Sequence, residues 1–449
     1  MSERKPFLES HIFKILVIAG LLLLFLIPLQ MIKRIVYERE QRSEEAAMEI
    51  AGLWGGGQAV CGPYISVPYR YYIKETDREG TAETKTVLST FIILPESLEI
   101  QSSMTSEIRS RGIYDIPVYE AGIKVSGVFP KPDPEDLHIK PEDIFWDEAK
   151  LVVELPDIRA VQSGTSLLWE EKPLELSSGY GRAGFYPGSL ESNLPRNWQK
   201  EKRSGYFIRL ELRGAGSLRF IPFGKQTRVH LASDWSSPSF TGSYLPAARN
   251  LSDEGFTADW SVHALARNFP QAWKQGDLAN RTVLESAFGF DLFMPVDPYA
   301  KAERSLKYGV LFVFLPFLAF FLFEVFTKNR LHILHYLMVG GANSVFYLLL
   351  LSLSEHIGFG PAYGAAAAVT TGLIVFYSAS ILALRRQGLT MLPVMGGLYL
   401  FLYTALQSED YALLIGSVGL FLVLAAVMIL SRKVDWNRLG GSLSRSGGS

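Results

Sequence analysis

The run from Leu334 to Leu353 is twenty residues long and carries no charged side chain. Wound as a helix it is about 30 Å long, the thickness of a bilayer's hydrocarbon core. Arg330 precedes it, while Ser354-Glu355-His356 follows it with no Lys or Arg before Pro361. Short cytoplasmic connections carry an excess of basic residues, so Arg330 is expected in the cytoplasm and Glu355 on the far side. The rest of the chain has to fit that orientation.

Ile12 to Met31 is a second run of spanning length, with Arg4 and Lys5 before it and Lys14 near its start. It ends Ile27-Pro28-Leu29-Gln30-Met31 and then Lys33-Arg34, without a small-residue cleavage site, so it reads as an uncleaved signal anchor. Further runs cover Tyr308–Phe326, Ala362–Leu384, Met391–Leu406 and Tyr411–Leu430. The connections agree on their sidedness. Lys328 and Arg330, Arg385 and Arg386, and the tail residues Arg432, Lys433, Arg438 and Arg445 mark one side, whereas Ser354–Pro361 and Gln407–Asp410 contain no Lys or Arg. Lys33 and Arg34 fall on the predicted outer side, but a long domain crosses largely regardless of charge. Both termini are therefore expected in the cytoplasm and residues about 33–307 in the periplasm.

Between the first two spans the pattern changes. Ile32 to Met48 lacks Gly and Pro and is expected to extend the first helix as a stalk, ending near Gly55, Gly56 and Gly57, with Glu38 and Arg42 as i,i+4 partners. From Val60 to about Val296 the apolar period becomes two, in segments such as Ile65–Ile73, Val87–Leu94, Ile123–Phe129 and Phe256–Val262, separated by turn clusters such as Glu79-Gly80. Tyr206 to Phe223 reads as one hairpin around Arg213-Gly214-Ala215-Gly216, and Lys131–Asp147 as an acidic surface insertion with one short helix. Ser177–Ser204 reads as a loop ending in the basic run Arg196–Arg203. Asp297-Pro298 is a good start for the helix that returns to the membrane.

These readings give an α+β membrane protein with six transmembrane helices and a large antiparallel β-rich periplasmic domain, a sandwich or two small ones, between helices 1 and 2. The expected divisions are 1–32 (tail and first helix), 33–59 (stalk), 60–297 (periplasmic domain), 298–430 (stalk and helices 2–6) and 431–449 (tail). A net charge of −1 gives no electrostatic basis for a nucleic-acid partner, and the single Cys61 excludes an intrachain disulfide. Cys61 reads as a buried thiol.

Several segments resemble the CreD family of bacterial inner-membrane proteins. They include Cys61-Gly62-Pro63-Tyr64-Ile65-Ser66-Val67-Pro68, Gly112-Ile113-Tyr114 and Trp235-Ser236-Ser237-Pro238-Ser239-Phe240-Thr241-Gly242 with Leu245-Pro246 and Arg249. Gly255-Phe256, Lys307-Tyr308-Gly309, Tyr347 to His356, Gly358-Phe359 and Asp435-Trp436 continue the likeness over nearly the whole chain, most specifically at Phe346 to Phe359. One departure is His332-Ile333 and His335-Tyr336, where the family usually has His-Pro and Gln-Tyr. The resemblance implies a role in cell-envelope integrity and a link to the Cre two-component regulon. It implies no catalytic residue.

Several residues stand out as functional candidates. Asn343 is a polar residue near the middle of a span, beside Gly340, Gly341 and Ala342. Glu324 lies near the inner end of its span and is i,i+4 to Lys328, whereas Glu355 and His356 end a span on the opposite side. His332 and His335 have metal-like spacing but no third ligand nearby. The aromatic segment holding Trp235, Phe240 and Tyr244 is expected to contact a lipid, a glycan or an envelope protein, or else to pack on its own domain. No P-loop, G-x-S-x-G or H-E-x-x-H occurs. The expectation is a non-enzymatic protein without cofactor or metal, whose partners are membrane lipids and an envelope component. The alternatives are a transporter or lipid-handling protein with a midplane cavity near Asn343, and a membrane hydrolase with a pocket at Trp235–Tyr244.

Overall fold

The structure, a computed structural model, describes residues 11–76, 82–133, 137–292, 294, 298–327, 331–381, 389–408 and 411–432. It forms two compact units, Met1–Ser43 with Val296–Ser449, and Glu44–Pro295. Helix α1 (His11–Trp54) runs from the first into the second. It stops at Gly55, which takes φ 118° and donates its N–H to Ala51 O at 2.9 Å. A Cβ there would lie 2.9 Å from Arg213 O, so only glycine fits this helix end.

The Glu44–Pro295 unit is built from seventeen strands among the described residues. In chain order they are β1 (Gln58–Thr76), β2 (Ala82–Ile93), β3 (Ser97–Arg111), β4 (Tyr114–Pro130), β5 (Lys150–Leu155), β6 (Ser166–Trp169), β7 (Lys172–Leu174), β8 (Ser177–Tyr180) and β9 (Gly188–Asn193). Then come β10 (Arg203–Ala215), β11 (Ser217–Phe220), β12 (Gln226–Ser233), β13 (Pro238–Gly242), β14 (Ala248–Ser252), β15 (Gly255–His263), β16 (Ala272–Lys274) and β17 (Phe288–Leu292), with the short α2 (Asn280–Leu284) before the last. One sheet has the order β13-β17-β11-β1-β5-β9-β8, with β2 also on β1 and β16 on β2. The other has the order β14-β15-β12-β3-β4-β10-β6-β7.

Period-two alternation sets the buried face. Tyr206, Ile208, Leu210 and Leu212 point inward from β10, and Phe256, Ala258, Trp260 and Val262 from β15. Residues of both sheets belong to one hydrophobic cluster.

Four expectations need correction here. The domain is not wholly antiparallel: β11 runs parallel to β1 and β12 parallel to β3. Alternation reports which face is buried and carries no information on a neighbour's direction. Tyr206–Phe223 is not a hairpin, because β10 pairs with β4 and β6 while β11 pairs with β1 and β17. Gly216, at φ 78°, passes the chain from one sheet to the other. Ser177–Ser204 contains two strands, β8 and β9, that pair with each other. Where one short helix was expected in Lys131–Asp147, its described residues include the 3-10 turn Pro141–Asp143 and the start of another, Trp146–Glu148.

The other unit continues with α3 (Pro298–Lys307), α4 (Gly309–Thr327), α5 (Ile333–Ile357), α6 (Phe359–Ile381), α7 (Met391–Gln407) and α8 (Ala412–Ser431). Among the described residues α1, α5 and α6 are long and apolar enough to cross a membrane. The pair α3 and α4, bent by 45°, passes the same test together, while α7 and the Leu414–Ala426 part of α8 are shorter apolar helices. By length and composition the count is thus three, or four with the bent pair, and not the six that the apolar runs predict. Its core is aromatic: the Phe346 and Tyr399 ring centroids lie 4.6 Å apart, and Phe312 lies 5.3 Å from Tyr399. Asp297, Lys328, Arg330, Arg385, Arg386, Lys433, Arg438, Arg445, Asp410 and the Glu79-Gly80 turn lie outside the described residues.

The sheet switch at Gly216 has a measurable cost. A Cβ there meets open space, so a substitution is penalised by backbone strain alone. Gly216→Ala is expected to lower stability by about 1 kcal/mol, and Gly216→Asn by less, since Asn enters the left-handed region more readily. Urea unfolding of the full chain checks the ranking; equal losses would locate the effect elsewhere.

Candidate functional site

The aromatic segment around Phe240 folds onto its own domain. Within it β13 is an edge strand, pairing Phe240 with Phe290 of β17. The Phe240 ring lies 5.6 Å from Phe256 and 5.8 Å from Trp260. Trp235 Nε1 donates to Ser237 O at 3.1 Å, so that indole is satisfied within its own turn. Tyr244 stacks edge-on against Phe288 at 5.8 Å, and its hydroxyl donates to Ala266 O at 2.8 Å. Trp260 Nε1 donates to Tyr244 O at 3.2 Å. All three predicted residues pack against the core cluster, and the exposed apolar side chains beside them are Leu245 and Leu265.

Beneath Tyr244 lies a residue that sequence reading missed. Arg267 is 7% exposed. Its Nη1 donates to Pro222 O at 2.6 Å and Phe223 O at 2.8 Å, and its guanidinium lies 4.5 Å from the Phe269 ring centre. Nε and Nη2 have no partner. Burial pushes the guanidinium down to about 10, with Tyr244 opposing the shift. A lone Arg in Leu265-Ala266-Arg267-Asn268-Phe269 carries no sequence signal of burial.

Two buried carboxylates have full partner sets. Glu154, fully buried, accepts from Tyr64 Oη at 2.5 Å and from the N–H groups of Ala183 at 2.9 Å and Tyr186 at 2.7 Å. Those bonds tie the Cys61–Pro68 segment to the 181–187 loop. Glu191 accepts from Arg182 Nε at 2.9 Å, Lys150 Nζ at 3.0 Å and Ser189 Oγ at 3.0 Å. Burial alone would raise its pKa, but the bonds from Arg182 and Lys150 outweigh it and hold the carboxyl below its usual range. Cys61 is free and buried, and burial pushes its thiol well above the ordinary value, so it is no ready nucleophile.

In the helical unit the four predicted residues occupy separate places. Asn343, fully buried, accepts at Oδ1 from Tyr399 Oη of α7 at 3.3 Å, while its Nδ2 and the hydroxyl of Tyr347, one turn on, lack partners. A groove of about 410 Å³ between α5 and α6 is lined by Ala342, Val345, Val369 and Leu373 among others, and Asn343 is not in its lining. Glu324 was expected to meet Lys328, which lies outside the described residues. It meets Lys14 of α1, and also accepts from Tyr336 Oη at 3.3 Å. Lys14 donates further to Leu331 O at 2.6 Å. At the other end of the bundle Glu355 accepts from Tyr299 Oη at 3.2 Å and lies 3.7 Å from Arg39 Nε. His356 turns away, bonding Ser352 O at 3.0 Å. His335 bonds Tyr377 Oη at 2.8 Å, and His332 caps α5 by accepting from Leu334 N at 3.2 Å.

The Lys14–Glu324 pair is a strong test of the bundle, because either charge left alone in this setting is costly. Lys14→Met or Glu324→Leu is expected to lower stability by about 3 kcal/mol or more, and the double replacement by much less. Thermal unfolding of the full chain in detergent measures this. Additive losses would show that the two charges act independently.

The family profile described as Inner membrane protein CreD matches residues 10–437. The Inner membrane protein CreD of Escherichia coli (strain K12) is 32% identical over 444 residues, covering 96% of this chain and 94% of that protein. Among solved structures, an M1 zinc metallopeptidase from Deinococcus radiodurans aligns at 10% identity over 38% of each chain with a TM-score of 0.19. A mutant M1 zinc metallopeptidase from the same organism aligns at 10% identity over 80% of this chain and 96% of that one with a TM-score of 0.21. Scores that low carry no structural argument. The match over nearly the full length, together with an N-terminal apolar helix, a large β-rich unit and C-terminal apolar helices, places this chain in the CreD family of inner membrane proteins.

Proposed function

We propose that the protein supports envelope integrity by binding rather than by catalysis. Its helices anchor it in the inner membrane, and its β-rich unit meets an envelope component on the periplasmic side. The observation that carries this reading is the state of the bundle interior. Asn343 is taken up by Tyr399, rings of α4, α5 and α7 close around them, and the nearby groove is lined by other residues. An interior closed by these rings among the described residues suits an anchor and leaves binding to the other unit. A transporter reading draws on the unpartnered Asn343 Nδ2 and Tyr347 Oη and on the 45° bend between α3 and α4, but such a path ordinarily also uses several midplane charges, and among the described residues Asn343 has none beside it.

In this reading six helices cross. The nineteen residues of α4, seventeen of α7 and twenty of α8 rise about 29, 26 and 30 Å, enough for most or all of a hydrocarbon core about 30 Å thick. Lys14, Glu324 and Leu331 mark one end of the bundle, and Arg39, Tyr299 and Glu355 the other. The basic residues of the short connections, at sequence positions 328, 330, 385, 386 and 432, favour the cytoplasm for the first end. Reporter fusions at Gly188 and at the carboxyl terminus are expected to read periplasm and cytoplasm respectively; the same side for both would overturn the topology.

Binding is tested in cells by placing a photocrosslinking residue at Leu245 or Leu265, which are 72% and 92% exposed. A reproducible adduct with a lipid, glycan or envelope protein is expected. Labelling no stronger than background at both positions would remove the basis for a binding role of this surface.

A further inference from the structure

Arg267 is a buried cation with half of its hydrogen-bonding capacity unused. A guanidinium has five N–H donors and no acceptor. Nη1 serves two backbone carbonyls, Pro222 O and Phe223 O, while Nε and Nη2 serve nothing. Among the described residues no carboxylate pairs with it. The two idle groups are not scattered: Nε–H and Nη2–H lie along one edge of the planar group and point the same way. That edge is the fork that grips two oxygens of a carboxylate or phosphate in parallel. Leaving charged donors buried and unpaired is unfavourable, so the arrangement calls for an occupant.

The surroundings indicate what kind. Tyr244 is half-buried beside Arg267, its ring edge-on to Phe288 and its hydroxyl bonded to Ala266 O. Immediately next in sequence to the two ends of that bond are Leu245 and Leu265, both strongly exposed. Two exposed apolar side chains, each next in sequence to one of the bonded residues, together with a buried edge that suits an anion, match an amphiphile.

We infer that Arg267 binds the oxyanion head, phosphate or carboxylate, of an amphiphilic ligand whose alkyl part lies across Leu245 and Leu265, with Tyr244 swinging aside to admit it. The inference rests on the binding reading above and names the ligand class that reading leaves open.

Calorimetric titration of the full chain in non-ionic detergent tests it, with hexyl phosphate and hexanoate as probes and inorganic phosphate and acetate as head-only counterparts. At least one alkylated probe should bind, about tenfold or more tighter than its head-only counterpart. Arg267→Lys keeps the charge but loses the fork, and should weaken binding about tenfold or more. Leu265→Ser, at a position with little packing to lose, should narrow the advantage of the alkylated probe without changing the head-only affinity. It keeps the test decisive if Arg267→Lys fails to fold. No binding by either alkylated probe, or affinity unchanged in the variants that fold, would overturn the site. Binding of inorganic phosphate or acetate with no gain from the alkyl chain would overturn the amphiphile and identify a free-anion site. A cellular crosslink to a protein or glycan without amphiphile binding would leave the broader binding reading standing and remove this one.

Discussion

The helical unit depends on how α1 is indexed against the other helices. In hydrocarbon an apolar helix gains little from meeting protein rather than lipid, so aliphatic contact alone gives no unique register. Lys14 and Arg39 supply one. They are twenty-five positions apart on α1, about 37 Å of helix, and meet Glu324 and Glu355 at opposite ends of the bundle. Between them Phe25 packs against Gly340 so closely that a Cβ on that glycine would lie 2.3 Å from the ring. Two charge contacts and one knob in one hole define both rotation and height. Sliding α1 by a residue would turn each contact by about 100° and lose all three.

In the β-rich unit the comparable constraint is that two sheets share one core. A chain that crosses between them needs a residue to turn on, and Gly216 performs that at the junction of β10 and β11. The crossing brings β11 beside β1 in parallel, where a hairpin would have kept both strands in one sheet. Glu154 then ties the start of β1 to the loop before β9 with three neutral donors. Such a carboxylate is structural: every oxygen that could act on a ligand is already engaged by the fold.

How much of this was readable in the sequence depends on whether a signal is local. Apolar runs located the helices, because absence of charge over a stretch is a local property, and alternation located the strands at Phe256–Val262 and Tyr206–Leu212. Direction of pairing was not local, hence the unforeseen parallel neighbours of β1 and β3. Lys14 as a partner of Glu324 was invisible for the same reason: it lies 310 positions away, beyond the reach of any local spacing rule. The apolar runs gave no warning of the short α7 and α8 or of the 45° bend between α3 and α4, which bring the count by length and composition to three or four, because the length of a run does not report where a helix begins or bends. Trp235, Phe240 and Tyr244 drew attention as aromatics in a Pro- and Ser-rich stretch, but composition cannot say whether a ring faces in or out. These face in.

The treatment of buried charge distinguishes the two units more sharply than their folds do. In the helical unit Glu324 and Glu355, each almost fully buried, have both a cation and a tyrosine hydroxyl. That is what a low-dielectric setting requires of a structure that has only to persist. In the β-rich unit Glu191 has two cations and Glu154 three donors, yet Arg267 has two carbonyls on one nitrogen and nothing on the edge best suited to an anion. The Phe269 face offsets some of the cost of that charge, since a guanidinium over a ring is favourable, but a ring accepts nothing along the in-plane N–H directions. A fold able to surround its other buried charges with partners has not done so here, beside a half-buried tyrosine. Rigidity where charges are matched and an open valence where one is not are what a membrane anchor carrying a binding surface would be built from.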